Sequence, residues 1–449
     1  MGHYNEYYEQ SLSFLDCARS VTPGGAQTLS KRAERFPEGA FPVALDRGEG
    51  AYVWDVDDHK YLDFICGLAS MTLGYSNSEV QASVLEQLKK GVTFSLATDL
   101  ELLVAQKIVG VIPCADMVRF VKTGSEATEA AIRIARKATG RDIIVTVKEG
   151  YHSWHSWFQV VKDQHPGVPE FYADGVATIA YNDIEALAWH FGVFGERIAA
   201  VILEPCHYEH PKDMFLPAIQ KLCTENGSLL IFDEMVTGFR WSYAGAQEYF
   251  NVIPDLATFG KACANGYPLA FVCGKEEYMH HADVVSGTFG GEALSLAACR
   301  AVLDVYDEND VTDKMWQLGR ELQDGFNIRA KESGVPVVCD GYAVKPRIRF
   351  TIGQTVGETY GAQATQYHGQ CYDPSILAMS LFLQELAYRG VLWHPAGGNI
   401  SYAMSEAEIA LALIAMRESL VVVKAALETG DFSKYLHGKP IQQISWVRQ

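Results

Sequence analysis

Five short runs in this chain are apolar at every or nearly every position, and they limit what it can fold into. They are MVRFV at 117–121, IIVTV at 143–147, AAVIL at 199–203, LLIF at 229–232 and LAFVC at 269–273. A strand with one wet face alternates apolar and polar residues, whereas a strand covered on both faces does not. Helical periodicity lies between the runs, at roughly 77–90, 98–110 and 125–138. Buried strands interleaved with helices specify an α/β fold, a mainly parallel sheet with helices on both faces. In such a sheet ligands bind beyond the carboxyl ends of the strands. The polar residues that follow the runs are therefore the candidates for function.

This alternation marks a large α/β domain over about residues 60–305. Residues 1–59 precede it. The first twenty read as one helix, with Tyr7, Leu12, Phe14 and Leu15 among polar positions, and a Gly/Pro-rich arm follows from Thr22 to Pro42. Ala51–Val56 and Tyr61–Ile65 read as short strands joined by a turn. Toward the other end, long helical patterns at about 291–332, 374–389 and 405–428 surround a few strands, notably PRIRFTI at 346–352. Residues 306–449 are expected to join the N-terminal segment in a smaller α+β domain.

A chain of 449 residues buries a core large enough to need no disulfide or metal staple. Its 37 Lys+Arg against 55 Asp+Glu give a net charge of −18. That balance argues against nucleic acid and anionic membranes as partners, which call for concentrated Lys and Arg. No stretch approaches the ~20 apolar residues that cross a bilayer. The N-terminus MGHYNEYYEQ lacks the basic and apolar regions of a secretory signal. The ten cysteines, from Cys17 to Cys371, stand singly with no CxxC pair, as reduced thiols do. A cytoplasmic location is the expectation.

Three segments after strands carry chemistry. Strand 117–121 runs into Lys122-Thr123-Gly124-Ser125-Glu126 and a helix. Gly124 lets a ligand approach the backbone, Ser125 can cap the helix, and the helix N-terminus suits a phosphate. Alone, this is as well read as a plain N-cap. The strand LLIF ends at Asp233-Glu234. A carboxylate at a buried strand end needs a partner charge or donors, and a protonated ring nitrogen is such a partner. Pro254-Asp255-Leu256-Ala257-Thr258-Phe259-Gly260-Lys261 reads as a strand ending in Gly and one Lys. A desolvated lysine has a lowered pKa and forms a Schiff base readily. Any one site has an ordinary structural reading. Together, a phosphate cradle, an acid for a pyridinium and a buried lysine match pyridoxal 5′-phosphate chemistry.

The chain here resembles the class III aminotransferases of the fold-type-I pyridoxal phosphate superfamily, within them the glutamate-1-semialdehyde aminomutase-like group. The resemblance runs from about Pro23-Gly24-Gly25 into the C-terminal region. It is carried by GEGAYVWDVDDHKYLDF (48–64), FVKTGSEATEAAIRIARKATGRD (120–142), YND (181–183), LLIFDEMVTGFR (229–240) and PDLATFGKACANGYPLA (254–270). It implies that Lys261 forms the Schiff base with the cofactor and shuttles the proton, and that Asp233 pairs with the pyridine nitrogen. Gly124 and Ser125 would hold the phosphate, Tyr151 would stack on one ring face and Met235 on the other. Glu204 matches a family acid near the cofactor. Thr288 matches the threonine that reaches the phosphate of the neighbouring subunit, so the resemblance implies a homodimer with shared active sites. Lys31 and Arg32 lie near where aminomutase-like relatives place a carboxylate-binding arginine.

The pattern departs from the family in three places. Phe289-Gly290-Gly291-Glu292-Ala293 puts an acid where the family has a neutral pair; Cys206-His207-Tyr208-Glu209-His210 replaces small residues; and 151–175 lacks the Gly/Ser-rich gating loop. All three fall where substrate is expected. Arg32, His152 and Glu292 are the substrate candidates, and the changes suit a hydroxyl- or amine-bearing, sugar-like or otherwise polar acceptor. The pairs His152/His155 and His207/His210 have an i, i+3 spacing but no further ligand, so no metal is expected. Trp154, Trp157 and Phe158 read as packing, and Arg347 and Arg349 as surface charges or an anion contact. The leading reading is an aminotransferase moving an amino group from a donor to an aldehyde or ketone. An aminomutase and a decarboxylase or racemase on the same scaffold stay open, as does a noncatalytic binding protein. A nicotinamide dehydrogenase is disfavoured because no GxGxxG joins a strand to a helix.

Overall fold

The computed structural model describes residues 6–161, 167–206, 208–212, 214–353 and 365–442. Near the N-terminus, β1 (Leu45–Glu49), β2 (Tyr52–Asp55) and β3 (Lys60–Asp63) form an antiparallel meander. The central sheet is built from β4 (Met117–Val121), β5 (Ile143–Val147), β6 (Val176–Ile179), β7 (Ile198–Leu203), β8 (Leu229–Asp233), β9 (Leu256–Phe259) and β10 (Ala270–Gly274). Their spatial order is β4-β10-β9-β8-β7-β5-β6. The strands from β6 to β9 pair in parallel, and β10 runs antiparallel to both its neighbours. The expected α/β architecture is therefore present, with four of the five apolar runs buried along their length. Ile198, Val201, Ile202 and Leu203 are almost wholly buried, each contributing about 1.5–3 kcal/mol.

The fifth run behaves differently. β4 is an edge strand, and Met117 and Arg119 on it are exposed. The Arg119 guanidinium donates to the Val285 carbonyl instead of meeting another strand. β6 lies at the opposite edge; its four residues VATI were too short a run to be read from sequence.

The helical pattern at 291–332 is two helices, Ala293–Glu308 and Val311–Ser333. The break falls at Asn309-Asp310, residues whose side chains compete for backbone groups and favour helix ends. Asn309 donates its amide to the Val305 carbonyl. A helix runs from Glu9 to Val21, and residues 6–7 just before it are also helical.

Beyond the central sheet, β11 (Val337–Tyr342) pairs with β12 (Lys345–Phe350), β13 (Thr365–Tyr367) pairs with β14 (Gln370–Tyr372), and β15 is Val391–Leu392. β15 adds to β3 in parallel, Val391 opposite Leu62. The two ends of the chain thus share one four-stranded sheet. Two consequences follow for the site: Lys345 stands at the start of β12, and His394 lies just past the carboxyl end of β15.

Candidate active site

Asp233 is the last residue of β8 and is 2% exposed. A buried carboxylate must be met by donors. The His152 ring supplies one, with Nδ1 2.7 Å from Asp233 Oδ2. The Met235 backbone N–H donates to Oδ1 at 3.1 Å, and the Thr258 hydroxyl donates to the same oxygen at 3.3 Å. Thr258 stands directly opposite Asp233 in the β8–β9 ladder. A single polar residue inside the apolar strand LATF was the signal for it.

Lys261 follows β9, with φ at +46°, in the left-handed region that few non-glycine residues occupy. Burial pushes its ammonium below the usual lysine range. Asp233 and Glu204 act in the opposite direction, while Lys345 and Arg240 favour the neutral amine. Among the described residues Lys261 forms no ion pair. A neutral amine at this position is a nucleophile and a base.

The helix after β4 spans Gly124–Thr139. Its N-cap is Thr123, whose hydroxyl accepts from the Glu126 N–H, while Glu126 reaches back to the Thr123 N–H at 2.8 Å. Ser125 does not cap the helix, as the sequence allowed; it lies inside the first turn, with its hydroxyl outside the cap. Met235 links this helix to the lysine. Its Sδ sits 2.9 Å from where a Cβ on Gly124 would stand, and 2.8 Å from where one on Gly260 would stand. Glycine at both positions leaves room for one thioether.

Tyr151 is 55% exposed, and its backbone N–H donates to Glu204 Oε1 at 3.1 Å. Glu204 follows β7 by one residue. Lys261, Asp233, His152, Tyr151, Glu204, Met235, Gly124 and Ser125 therefore all gather at the carboxyl ends of β4, β5, β7, β8 and β9. Thr288 stands apart. It is exposed in the loop 286–291, in a cleft of about 460 Å³ shared with Lys122, Glu126, Arg133 and His155.

Two of the substrate candidates are engaged elsewhere. His152 is 3% exposed and serves Asp233, stacking on Trp157 behind it; a sequence separation of this length hid the pairing. Glu292 caps the helix Ala293–Glu308, accepting from the Leu294 N–H at 2.7 Å, and it pairs with Lys122 Nζ at 2.7 Å. Burial raises the Glu292 carboxyl, but Lys122, Ser295 and Leu294 together hold it below the usual range. Arg32 is half-buried against Gly24, and its Nε has no hydrogen-bond partner.

The remaining candidates resolve simply. Arg347 and Arg349 both pair with Asp340, at 2.8 Å. His155 turns to Glu129 at 3.5 Å, away from His152, and His207 lies outside the described residues. Trp157 and Phe158 are packed in the core, whereas Trp154 is exposed. Residues the sequence did not single out also surround the lysine: Arg240, wholly buried and donating to the Ala69 and Ile400 carbonyls, and Lys345, whose Nζ donates to the Tyr208 hydroxyl at 3.0 Å.

Residues 35–338 match the family described as aminotransferase class-III. The chain belongs to the class-III aminotransferases. It is 35% identical over 428 residues to the 3-aminobutyryl-CoA aminotransferase of Cloacimonas acidaminovorans (strain Evry), a match covering 93% of this chain and 98% of that one. It is 33% identical over 405 residues to a glutamate-1-semialdehyde 2,1-aminomutase of Syntrophobacter fumaroxidans, covering 86% and 90%. Among solved structures, the FumI protein of Sphingopyxis sp. MTA144, in its PLP internal aldimine form, superposes with a TM-score of 0.84 at 26% identity, covering 96% of this chain and 99% of that chain. As a class-III aminotransferase this protein is a pyridoxal 5′-phosphate enzyme, and its residues fit that group. The start of the helix Gly124–Thr139, a buried carboxylate at a sheet end and a lysine that forms no ion pair among the described residues all lie at the carboxyl edge of the sheet.

Proposed function

We propose that this class-III aminotransferase moves an amino group from an amino donor to the aldehyde or ketone carbon of a polar acceptor. The observation that carries the reading is Lys261, desolvated and unpaired, beside an Asp233 fixed by His152 and Thr258. Pyridoxal phosphate, when bound, supplies a carbonyl carbon to carry the amino group and a pyridinium ring to draw off electrons.

This chain's own residues do the rest. Lys261 Nζ, its pKa lowered by burial, takes a proton from the amine-bearing carbon of the substrate and returns it on the other side of the exchange. Asp233 keeps a proton on the ring nitrogen, because a buried carboxylate favours the charged partner. His152 and Thr258 keep the carboxylate aimed. Gly124, Ser125 and the amides of the first helical turn hold the phosphate. Tyr151 and Met235 flank the ring, Glu204 holds the Tyr151 loop, and Thr288 serves the partner's site in a homodimer.

A hydroxyl-bearing, sugar-like acceptor rested on Glu292 and on the histidines His152, His207 and His210, of which His207 lies outside the described residues. Glu292 and His152 are engaged with other groups, so neither supports that finer reading. The likeness to aminomutases favours one second reading, intramolecular transfer, which needs no external donor. The test is visible absorption of the purified holoenzyme with a panel of amines and no acceptor. Transamination bleaches the cofactor band with at least one donor and yields its keto or aldehyde product. A band that no amine changes, with isomerisation of one substrate, overturns the reading in favour of the mutase.

A further inference from the structure

Lys261 and Asn265, at the two ends of one short turn, both have left-handed backbones. The turn Lys261–Ala264 opens on Lys261 at φ +46° and is capped by Asn265 at φ +45° and ψ +50°. Asparagine takes that region readily. For lysine it is strained, and it persists only where the surroundings impose it. Inside the turn, the Cys263 N–H donates to the Gly260 carbonyl at 3.1 Å and the Asn265 N–H to the Ala262 carbonyl at 3.2 Å. Bonds of this kind close a turn without fixing where it points.

The Asn265 side chain, 4% exposed, supplies the missing direction. Its Oδ1 accepts from the Leu73 N–H at 3.0 Å, and its Nδ2 donates to the Gly74 carbonyl at 2.9 Å. One amide thus grips two consecutive residues of a segment 192 positions away along the chain. With both ends engaged, the amide has one orientation. Met71 adds a contact at the next residue, its Sδ 2.6 Å from where a Cβ on Gly266 would stand.

The gripped segment is itself anchored. The Thr72 carbonyl accepts from the Tyr402 N–H at 2.7 Å and from the Ser401 hydroxyl at 3.2 Å. Tyr75 and Gly50 exchange backbone hydrogen bonds at 2.7 and 2.9 Å. Just upstream, Cys66, Gly67, Leu68 and Ala69 have φ of 50°, 57°, 59° and 71°, a left-handed helical turn that L-residues rarely form. Its last carbonyl, that of Ala69, accepts from Nη2 of the buried Arg240 at 2.8 Å. Segments from both ends of the chain therefore hold the mount to which Asn265 ties the lysine turn.

We propose that Asn265 is a positioning residue: by clamping the turn to residues 73–74, it holds Lys261 in its left-handed backbone and aims Nζ at the carbon whose proton it moves. The inference rests on the aminotransferase reading for that proton transfer, while the clamp stands without it.

Asn265→Gly tests the clamp, because glycine tolerates the same backbone and only the amide is lost. In the holoenzyme, the Leu73 amide should exchange with deuterium about tenfold faster or more. The pH at which the cofactor band changes should shift. At saturating amine, bleaching of the band should slow about 10–100-fold, with the half-saturating amine concentration within about twofold of wild type. Asn265→Asp keeps the oxygen that accepts from Leu73, and should recover the Leu73 protection and part of the rate. A variant that melts earlier but keeps the wild-type band titration and bleaching rate overturns the proposal. So does unchanged Leu73 exchange in Asn265→Gly. If no amine bleaches the wild type while the variant's band titration shifts, Asn265 keeps its place and the aminotransferase reading falls.

Discussion

His152 Nδ1 lies 2.7 Å from Asp233 Oδ2, and neither side chain reaches solvent. With Asp233 accepting, Nδ1 carries the hydrogen and the ring orients the acid proposed to meet the cofactor. His152 is a positioning residue. His152→Ala should lower kcat about 10–100-fold, the scale on which outer-shell partners act. It should also shift the pH at which the cofactor band changes, which a purely structural loss does not do. His152→Asn, which can still offer an N–H, should recover part of both. An unshifted titration would take His152 out of the role.

Met235 ties the helix Gly124–Thr139 to the Lys261 loop. Gly124→Ala or Gly260→Ala would drive a Cβ into its sulfur, and each should weaken cofactor binding and lower the melting temperature. Pairing either with Met235→Ala should recover much of the loss, with a coupling of about 0.5–3 kcal/mol in a double-mutant cycle. Additive losses would mean that the thioether is not the obstacle.

Glu292 caps a helix and pairs with Lys122. Glu292→Ala should cost about 0.5–2 kcal/mol for the cap alone, read as a lower denaturant midpoint. Relative kcat/KM across a panel of acceptors should stay as in the wild type. A selective loss of one acceptor would return Glu292 to the substrate pocket.

Glu234, next to Asp233, gives the fold a pH dependence. It is wholly buried; burial raises its carboxyl to about 7, against the Thr237 hydroxyl and the Ala246 and Gln247 N–H groups. The folded protein therefore binds a proton more tightly than the unfolded chain does. Between pH ~4.5 and ~7 the folded state holds more protons, so stability from this group is present at the acid end and is lost as pH rises. The scale is on the order of 3 kcal/mol. Urea unfolding at pH 5 and pH 7.5 should show the decline, and Glu234→Gln should flatten it. An equal slope in the variant would assign the effect elsewhere.

The sequence by itself determined the α/β class and brought forward Lys261, Asp233 and the Gly124-Ser125 loop as candidates. Each is written in local order: a run of four to six apolar residues, then the polar residue that the strand delivers to the carboxyl edge. It also carried the family, because several long motifs stand in one order. Tertiary structure alone decided which of these groups are spoken for. The partnership of His152 with Asp233 joins β5 to β8, and that of Glu292 with Lys122 joins a helix to β4. Hydrogen bonds and charges act over a few ångströms, while the residues concerned are tens to hundreds of positions apart. Which donors a buried group finds is therefore a property of packing, absent from any local pattern.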